Sequence, residues 1–297
     1  MIPTIGTAVS YPAGATASRS TVVHVADAGD GRRAVVLDET AFHPVDTAWP
    51  DQPADRGTLR VAGADLAVID AVVGALPVDA APADRLLLGA EVPVRTGTEG
   101  WTFVVAHLID GDAPVAEGDV VDVTVDAGYR AALSAGHTAC HLASLALDAA
   151  LADAWRKEAP ADALGAPAFD ALAIQESRIV GDGSVDVYRI GKSLRRKGFD
   201  PEALADLDAL TARVDAQLAD WLAAGGAVRV ERDGAALADR RTWVCELPGA
   251  SARIPCGGTH VTSLHELSAA TVSFAATTVE GGVELVMTTT ATRAEAP

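Results

Sequence analysis

The sequence predicts an α+β protein in two parts, a mainly β stretch over residues 1–130 and a mixed stretch over 131–297. Three patterns carry this. Val121, Val123 and Val125 alternate with Asp122, Thr124 and Asp126, the period-two signature of a strand with one buried face. Leu204, Leu207, Leu210, Val214, Leu218 and Trp221 recur at spacings of three and four, one apolar stripe of a helix. The β-rich segments are short and separated by clusters such as Asp27-Ala28-Gly29-Asp30-Gly31 and Asp110-Gly111-Asp112.

In chain order, Thr21 to Val25, Ala34 to Leu37, Leu66 to Val73 and Trp101 to Leu108 are β-branched or apolar runs. With the valine strand, they suggest a small barrel or sandwich. From His137 to about Glu158 the pattern becomes helical, with Leu142, Leu145 and Ala149 on one side. A second helix is expected to begin at Asp200. The aspartate suits the N-cap, Pro201 the first helical position, and Glu202 the positive end of the helix dipole. Gly225-Gly226 ends that helix. Runs at 227–232, 242–247, 271–279 and 283–290 then supply a largely antiparallel sheet for the helices to cover.

Composition sets outer limits. The chain has 297 residues, 49% hydrophobic and 22% charged, which describes a folded globular protein and not a disordered one. No apolar run reaches the ~20 residues that cross a bilayer. The N-terminus lacks the basic and apolar regions of a secretory signal, and three cysteines make no disulfide framework. The cytoplasm is the expected compartment. A net charge of −18 argues against nucleic-acid binding by the surface as a whole, though not against a local basic patch.

Two fragments carry chemistry, Gly136-His137-Thr138-Ala139-Cys140-His141-Leu142 and Pro255-Cys256-Gly257-Gly258-Thr259-His260-Val261. His137 and His141 stand at i and i+4, so a helix puts both imidazoles on one face. Cys256 and His260 flank a Gly-Gly pair that lets the backbone fold tightly and both side chains converge. Three imidazoles and one thiolate suit tetrahedral zinc. Thr138 stands where a His-Glu-x-x-His protease would carry its general-base glutamate, which sets that class aside. Cys140 points away from the histidine face and reads as packing, as does Cys245.

These fragments resemble the paired zinc signatures of the alanyl-tRNA synthetase editing domain and its free-standing, AlaX-type trans-editing relatives. The resemblance extends to Leu37-Asp38-Glu39-Thr40-Ala41-Phe42-His43-Pro44, to Gln52-Pro53-Ala54-Asp55-Arg56-Gly57 and to Glu117-Gly118-Asp119-Val120-Val121. It runs in the same order over about residues 20 to 290. No aminoacylation half is present, so the chain resembles the stand-alone form. The resemblance implies an N-terminal β-barrel domain over 1–130. It also implies a two-layer α+β editing domain over 131–297, of the kind shared with threonyl-tRNA synthetase. The implied activity is zinc-dependent hydrolysis of the ester of mischarged aminoacyl-tRNA, serine or glycine on alanine tRNA. The implied zinc ligands are His137, His141, Cys256 and His260, and Gln52 matches the active-site glutamine. One departure stands out. Val45-Asp46-Thr47-Ala48-Trp49-Pro50-Asp51 replaces the family's Gly-rich run, so Trp49 is either a bulkier wall of an altered acyl pocket or a packing residue.

Zinc at such a site either lowers the pKa of a water molecule or clamps the substrate, and sequence leaves both open. Thr138 and Thr259 are each read as positioning water or a substrate hydroxyl, or as making a local backbone hydrogen bond. The RNA candidate is the segment from Arg178 to Lys197. It holds Arg178, Arg189, Lys192, Arg195, Arg196 and Lys197 against Asp182 and Asp186. Such a patch suits docking of a tRNA acceptor end, with Tyr188 and Phe199 available to stack on unpaired nucleotides. The alternative is a solvated loop leading into the Asp200 helix. His43 is a candidate pocket residue, whereas His24, His107 and His265 are not counted as ligands. Two rival functions remain. One is a hydrolase of small acyl or aminoacyl esters or amides that needs no tRNA. The other is a non-catalytic zinc-stabilised binding module, which chelation would unfold.

Overall fold

A computed structural model of the chain describes residues 3–79 and 85–295. The chain divides into two compact units. One comprises Met1–Arg130, Val230–Thr242 and Gly257–Thr259; the other comprises Ala131–Arg229, Trp243–Cys256 and His260–Pro297.

The first unit is built from strands β1 (Ala8–Val9), β2 (Ala17–Gly29), β3 (Arg32–Leu37), β4 (Glu39–Thr40), β5 (Gly57–Val61), β6 (Ala64–Val68), β7 (Asp70–Pro77), β8 (Leu87–Leu88), β9 (Trp101–Asp110) and β10 (Val120–Val125). Eight of them pair in the order β6-β5-β10-β2-β3-β9-β7-β8, while β1 pairs parallel with β4. The alternation read from the valines is realised in β10. Val121, Val123 and Val125 are buried, and Val120, Asp122 and Thr124 are exposed. Their buried face joins Val35, Leu37, Phe42, Leu59, Phe103, Val105 and Ile109 in one core. The expected 66–73 strand is two strands, β6 and β7, separated by the exposed Ile69, whose N–H donates to the Leu108 carbonyl at 2.8 Å. The order as paired runs from β6 to β8 and does not form a closed ring, so it leaves the expected barrel unestablished.

Helix α1 (Ala127–Ala150) leads into the second unit. It starts ten residues before the expected His137 and ends at Ala150, short of Glu158. The start is set by Asp126, whose carboxylate accepts the Tyr129 N–H at 3.0 Å and caps the first turn. Gly136 lies under this helix where a Cβ would come within 2.5 Å of the Val180 and Gly183 carbonyl oxygens. The absent side chain is therefore what lets α1 settle onto the sheet.

That sheet contains β11 (Ile174–Val180), β12 (Gly183–Ile190), β16 (Leu267–Val279) and β17 (Gly282–Arg293) in the antiparallel order β11-β12-β17-β16. The short helix α2 (Phe169–Ala173) precedes it in the chain, and α3 (Lys192–Arg196) follows β12. The basic segment before Asp200, for which a solvated loop was the alternative reading, is mostly a hairpin and a helical turn. Asp200 does not cap the long helix. Its carboxylate accepts from the Glu202 N–H and caps a separate 3-10 turn, Pro201–Leu204. The helix α4 (Leu207–Ala224) begins afterwards, with Asp206 as the cap that accepts from Ala209 N–H. Both aspartates satisfy the cap chemistry, and Pro201 drew the expectation to the earlier one. Leu210, Val214, Leu218 and Trp221 form the buried stripe of α4, as expected. Gly225, at φ 69°, ends it.

Strands β13 (Val228–Arg232), β14 (Arg241–Leu247) and β15 (Ala250–Pro255) form a further three-stranded sheet in that order. The chain is α+β, with more strand than helix. Among the described residues no helix is long and apolar enough to cross a membrane.

Candidate metal centre

Helix α1 puts His137 and His141 on one face, with ring centroids 4.8 Å apart. Cys256 follows directly on the end of β15, and the turn through Gly257-Gly258 brings His260 back to it. The four side chains converge, with one ligand atom from each lying within 4.8 Å of all the others. Cys256 Sγ is 3.4 Å from His137 Nε2 and 3.3 Å from His260 Nε2. Zinc–sulfur and zinc–nitrogen bonds of ordinary length at a tetrahedral angle imply an S···N edge of about 3.5 Å. The donor set and its spacing therefore fit zinc. A second observation agrees. His141 Nε2 is buried and has no hydrogen-bond partner. Burial pushes the His141 imidazole down to about 4, so it is neutral and presents the lone pair that a metal requires.

Two buried groups pack against these side chains. Thr138 Oγ1 lies 3.2 Å from His260 Nδ1 and accepts the Val261 N–H at 3.2 Å. With a metal ion on Nε2, Nδ1 would carry the proton and donate to Thr138. Trp243, on β14, is fully buried, with its ring centroid 4.9 Å from that of His141 and 5.7 Å from that of His260. Sequence reasoning passed over Trp243. Its alternation with Cys245 on one face of β14 was the available signal.

Gln52, in the first unit, is 1% exposed. Its Oε1 accepts the Thr259 N–H at 3.0 Å and its Nε2 donates to Thr259 Oγ1 at 3.0 Å. Thr259 is the residue before His260 in the chain. His43 lies beside Gln52, its Nδ1 3.4 Å from Gln52 Nε2, and stands edge-on to the Tyr11 ring. Burial, opposed by Asp55 and aided by Arg130 and Arg241, pushes His43 down to about 4. Arg130 forks onto the Asp55 carboxylate, and its guanidinium also donates to the Ala41 carbonyl at 2.8 Å. Asp55 in turn accepts the His43 N–H at 2.5 Å. Trp49 is 48% exposed, so it is not a core packing residue.

The basic segment is partly engaged. Arg189 donates to the Glu280 carbonyl, Arg195 to the Gly281 carbonyl at 3.2 Å, and Arg178 pairs with Glu176 at 3.4 Å. Lys192, Arg195, Arg196 and Lys197 are exposed on and just after α3, anchored by the buried Leu194. Tyr188 and Phe199 do not flank this patch as stacking platforms. Both are buried. Tyr188 donates to Asp170 Oδ1 at 2.9 Å, and the Phe199 ring packs against those of Phe169 and Trp155. Cys140 is buried against Asp186, Sγ to Oδ1 3.6 Å, as its orientation away from the histidine face required.

Fold and site together define an α+β protein carrying a three-histidine, one-cysteine group able to hold a metal ion such as zinc. No protein-family model matches the chain. A stretch of 108 residues is 32% identical to the alanine–tRNA ligase of Caldivirga maquilingensis, covering 36% of this chain and 9% of that protein. The match therefore spans far less than two thirds of that relative. It supports a relationship to the alanyl-tRNA synthetases.

Proposed function

We propose that the protein is a zinc-dependent hydrolase acting in trans on the ester bond of mischarged aminoacyl-tRNA, with serine or glycine on alanine tRNA as substrates. The reading places it with the stand-alone, AlaX-type editing proteins, in the cytoplasm, with the tRNA acceptor end as its partner. The observation that carries it is the convergence of His137, His141, Cys256 and His260 in a chain partly similar to an alanine–tRNA ligase.

The chemistry a zinc ion supplies when bound there is Lewis-acid polarisation of the ester carbonyl and a pKa lowered to about 7 for a water molecule. In the overall reaction the hydroxyl of water joins the acyl carbon. The acyl–oxygen bond breaks, and the terminal ribose oxygen takes the proton. An aminoacyl ester is already activated, so positioning supplies much of what is needed. Thr138 orients the His260 imidazole through Nδ1. Gln52, which matches the family's active-site glutamine, is proposed as an active-site residue whose carboxamide is oriented by two hydrogen bonds to Thr259. Arg189, Lys192, Arg195, Arg196 and Lys197 are proposed to receive the phosphates of the acceptor end.

The same reading treats the β-rich N-terminal sheet as the family's barrel, within a division at residues 1–130 and 131–297. Supporting the barrel, β6 and β7 follow one another in the chain with only Ile69 between them. β6 pairs with β5 and β7 pairs with β9, so the chain itself joins the two sides of the strand order.

The test is deacylation of Ser-, Gly- and Ala-charged alanine tRNA by the metal-loaded protein. Faster hydrolysis of the Ser or Gly ester than of the Ala ester, abolished by chelation, is expected. No acceleration over the protein-free rate for either mischarged form contradicts the assignment. The second reading is a hydrolase of small esters without tRNA. It is favoured by the burial of Tyr188 and Phe199, which removes the stacking platform from the basic segment. Reversing the charges of Lys192, Arg195, Arg196 and Lys197 separates the two, because unchanged kinetics on tRNA substrates favour the second.

A further inference from the structure

Trp243 is 0% exposed, and its indole Nε1 has no hydrogen-bond partner. A buried N–H left without an acceptor forfeits about 1–3 kcal/mol, and native folds keep few of them. This one is not in a remote part of the core. The indole packs on His141 and His260, both at ring-centroid distances under 6 Å, and His141 Nε2 is itself buried and unpartnered. One contact thus holds an orphan acceptor and an orphan donor. A metal ion would account for the imidazole lone pair. It would not account for the indole N–H, which is donor-only and cannot ligate one. The oxygen of a molecule taken up at the centre would supply the acceptor that the N–H lacks.

We propose that the Trp243 N–H is a binding donor for the oxygen of a small carbonyl or carboxylate ligand taken up at the His137/His141/Cys256/His260 centre. The role rests on the metal reading above and adds a recognition element to it. The indole fixes the ligand oxygen by one hydrogen bond, and its ring, tilted 41° to that of His141 at 4.9 Å, packs against the same imidazole. Trp243→Phe removes the N–H while keeping an aromatic face against His141.

The experiment uses the cobalt-loaded full chain with acetate as the probe, following the visible absorption of the metal. Wild type is expected to bind cobalt and to respond to acetate. Trp243→Phe is expected still to take up cobalt and to bind acetate about tenfold more weakly, the ratio supplied by one hydrogen bond of about 1.4 kcal/mol. Equal acetate affinity in the two proteins overturns the inference and leaves the metal reading standing, as does a wild-type protein that binds cobalt but shows no acetate response. A wild-type protein that takes up no cobalt removes the metal reading and this inference with it. A nitrogen-15 spectrum of zinc-loaded wild type gives an answer that does not depend on the variant folding. One indole N–H resonance should move downfield as acetate is added, and no movement of any indole signal contradicts the proposal.

Discussion

Gln52 holds Thr259 by both ends of its carboxamide, with two hydrogen bonds of 3.0 Å between residues 207 positions apart. Both partners are buried, so the pairing fixes Thr259, the residue before His260 in the chain. Gln52→Met keeps the side-chain length and removes both bonds, leaving the Thr259 N–H without its acceptor. The expected cost is about 1–3 kcal/mol in urea unfolding, together with weaker metal binding in a chelator competition. Unchanged stability and unchanged metal affinity would show that the turn is held by other means.

Thr138 reaches His260 Nδ1 from within the His137-x-x-x-His141 segment, tying the two ligand fragments together. Partners on the far nitrogen of a ligating histidine are worth about 10- to 100-fold in metal affinity. Thr138→Val is expected to lose affinity in that range, and Thr138→Ser to restore most of it. A valine variant with wild-type zinc affinity would contradict the orienting role.

The convergence of His137, His141, Cys256 and His260 was legible in the sequence because its signals are local. The i, i+4 histidines need only a helix, and Cys256 and His260 need only the Gly-Gly turn between them. The β10 valines and the α4 stripe were legible for the same reason. The misplaced starts of α1 and α4 are competitions between caps. Asp126 and Asp206 cap the helices, yet neither carries the proline that made Asp200 conspicuous. The β11–β12 hairpin was missed because its charged residues masked the alternation of Ser184, Asp186, Tyr188 and Ile190, which are buried on one face. Trp243 and the Gln52–Thr259 pair depend on contacts between distant segments, which periodicity does not encode. Tyr188 and Phe199 flank the cationic segment in sequence, but their side chains turn into the core.

Arg130 and Asp55 form a forked ion pair with side-chain exposures of 6% and 0%. Removing one partner of a buried pair strands the other charge, at a cost of about 3–5 kcal/mol. Arg130→Met should therefore be strongly destabilised in chemical unfolding, and adding Asp55→Leu should recover a large part of the loss. A single variant within about 1 kcal/mol of wild type would show that the pair is dispensable.

Asp148, near the end of α1, is 3% exposed, and its Oδ1 accepts the Asp170 N–H at 2.7 Å. Burial, reinforced by the Asp170 and Asp162 carboxylates, pushes it up to about 8, against partial relief from that backbone bond. The folded chain thus keeps a proton that the unfolded chain releases near pH 4. The stability this supplies is complete below about pH 4 and is lost as pH rises through about 8. Asp148→Asn keeps an acceptor and removes the titration. The stability of wild type relative to this variant, from urea unfolding at successive pH values, is expected to fall between pH 5 and pH 9. A difference that stays flat or grows with pH would contradict the assignment.

The centre itself is tested most directly by metal content. Protein purified without added metal and measured by elemental analysis is expected to carry about one zinc per chain, as one tetrahedral group of four ligands requires, and His141→Ala is expected to carry far less. A wild-type chain that holds no transition metal, and takes none up when zinc is supplied, would contradict the account.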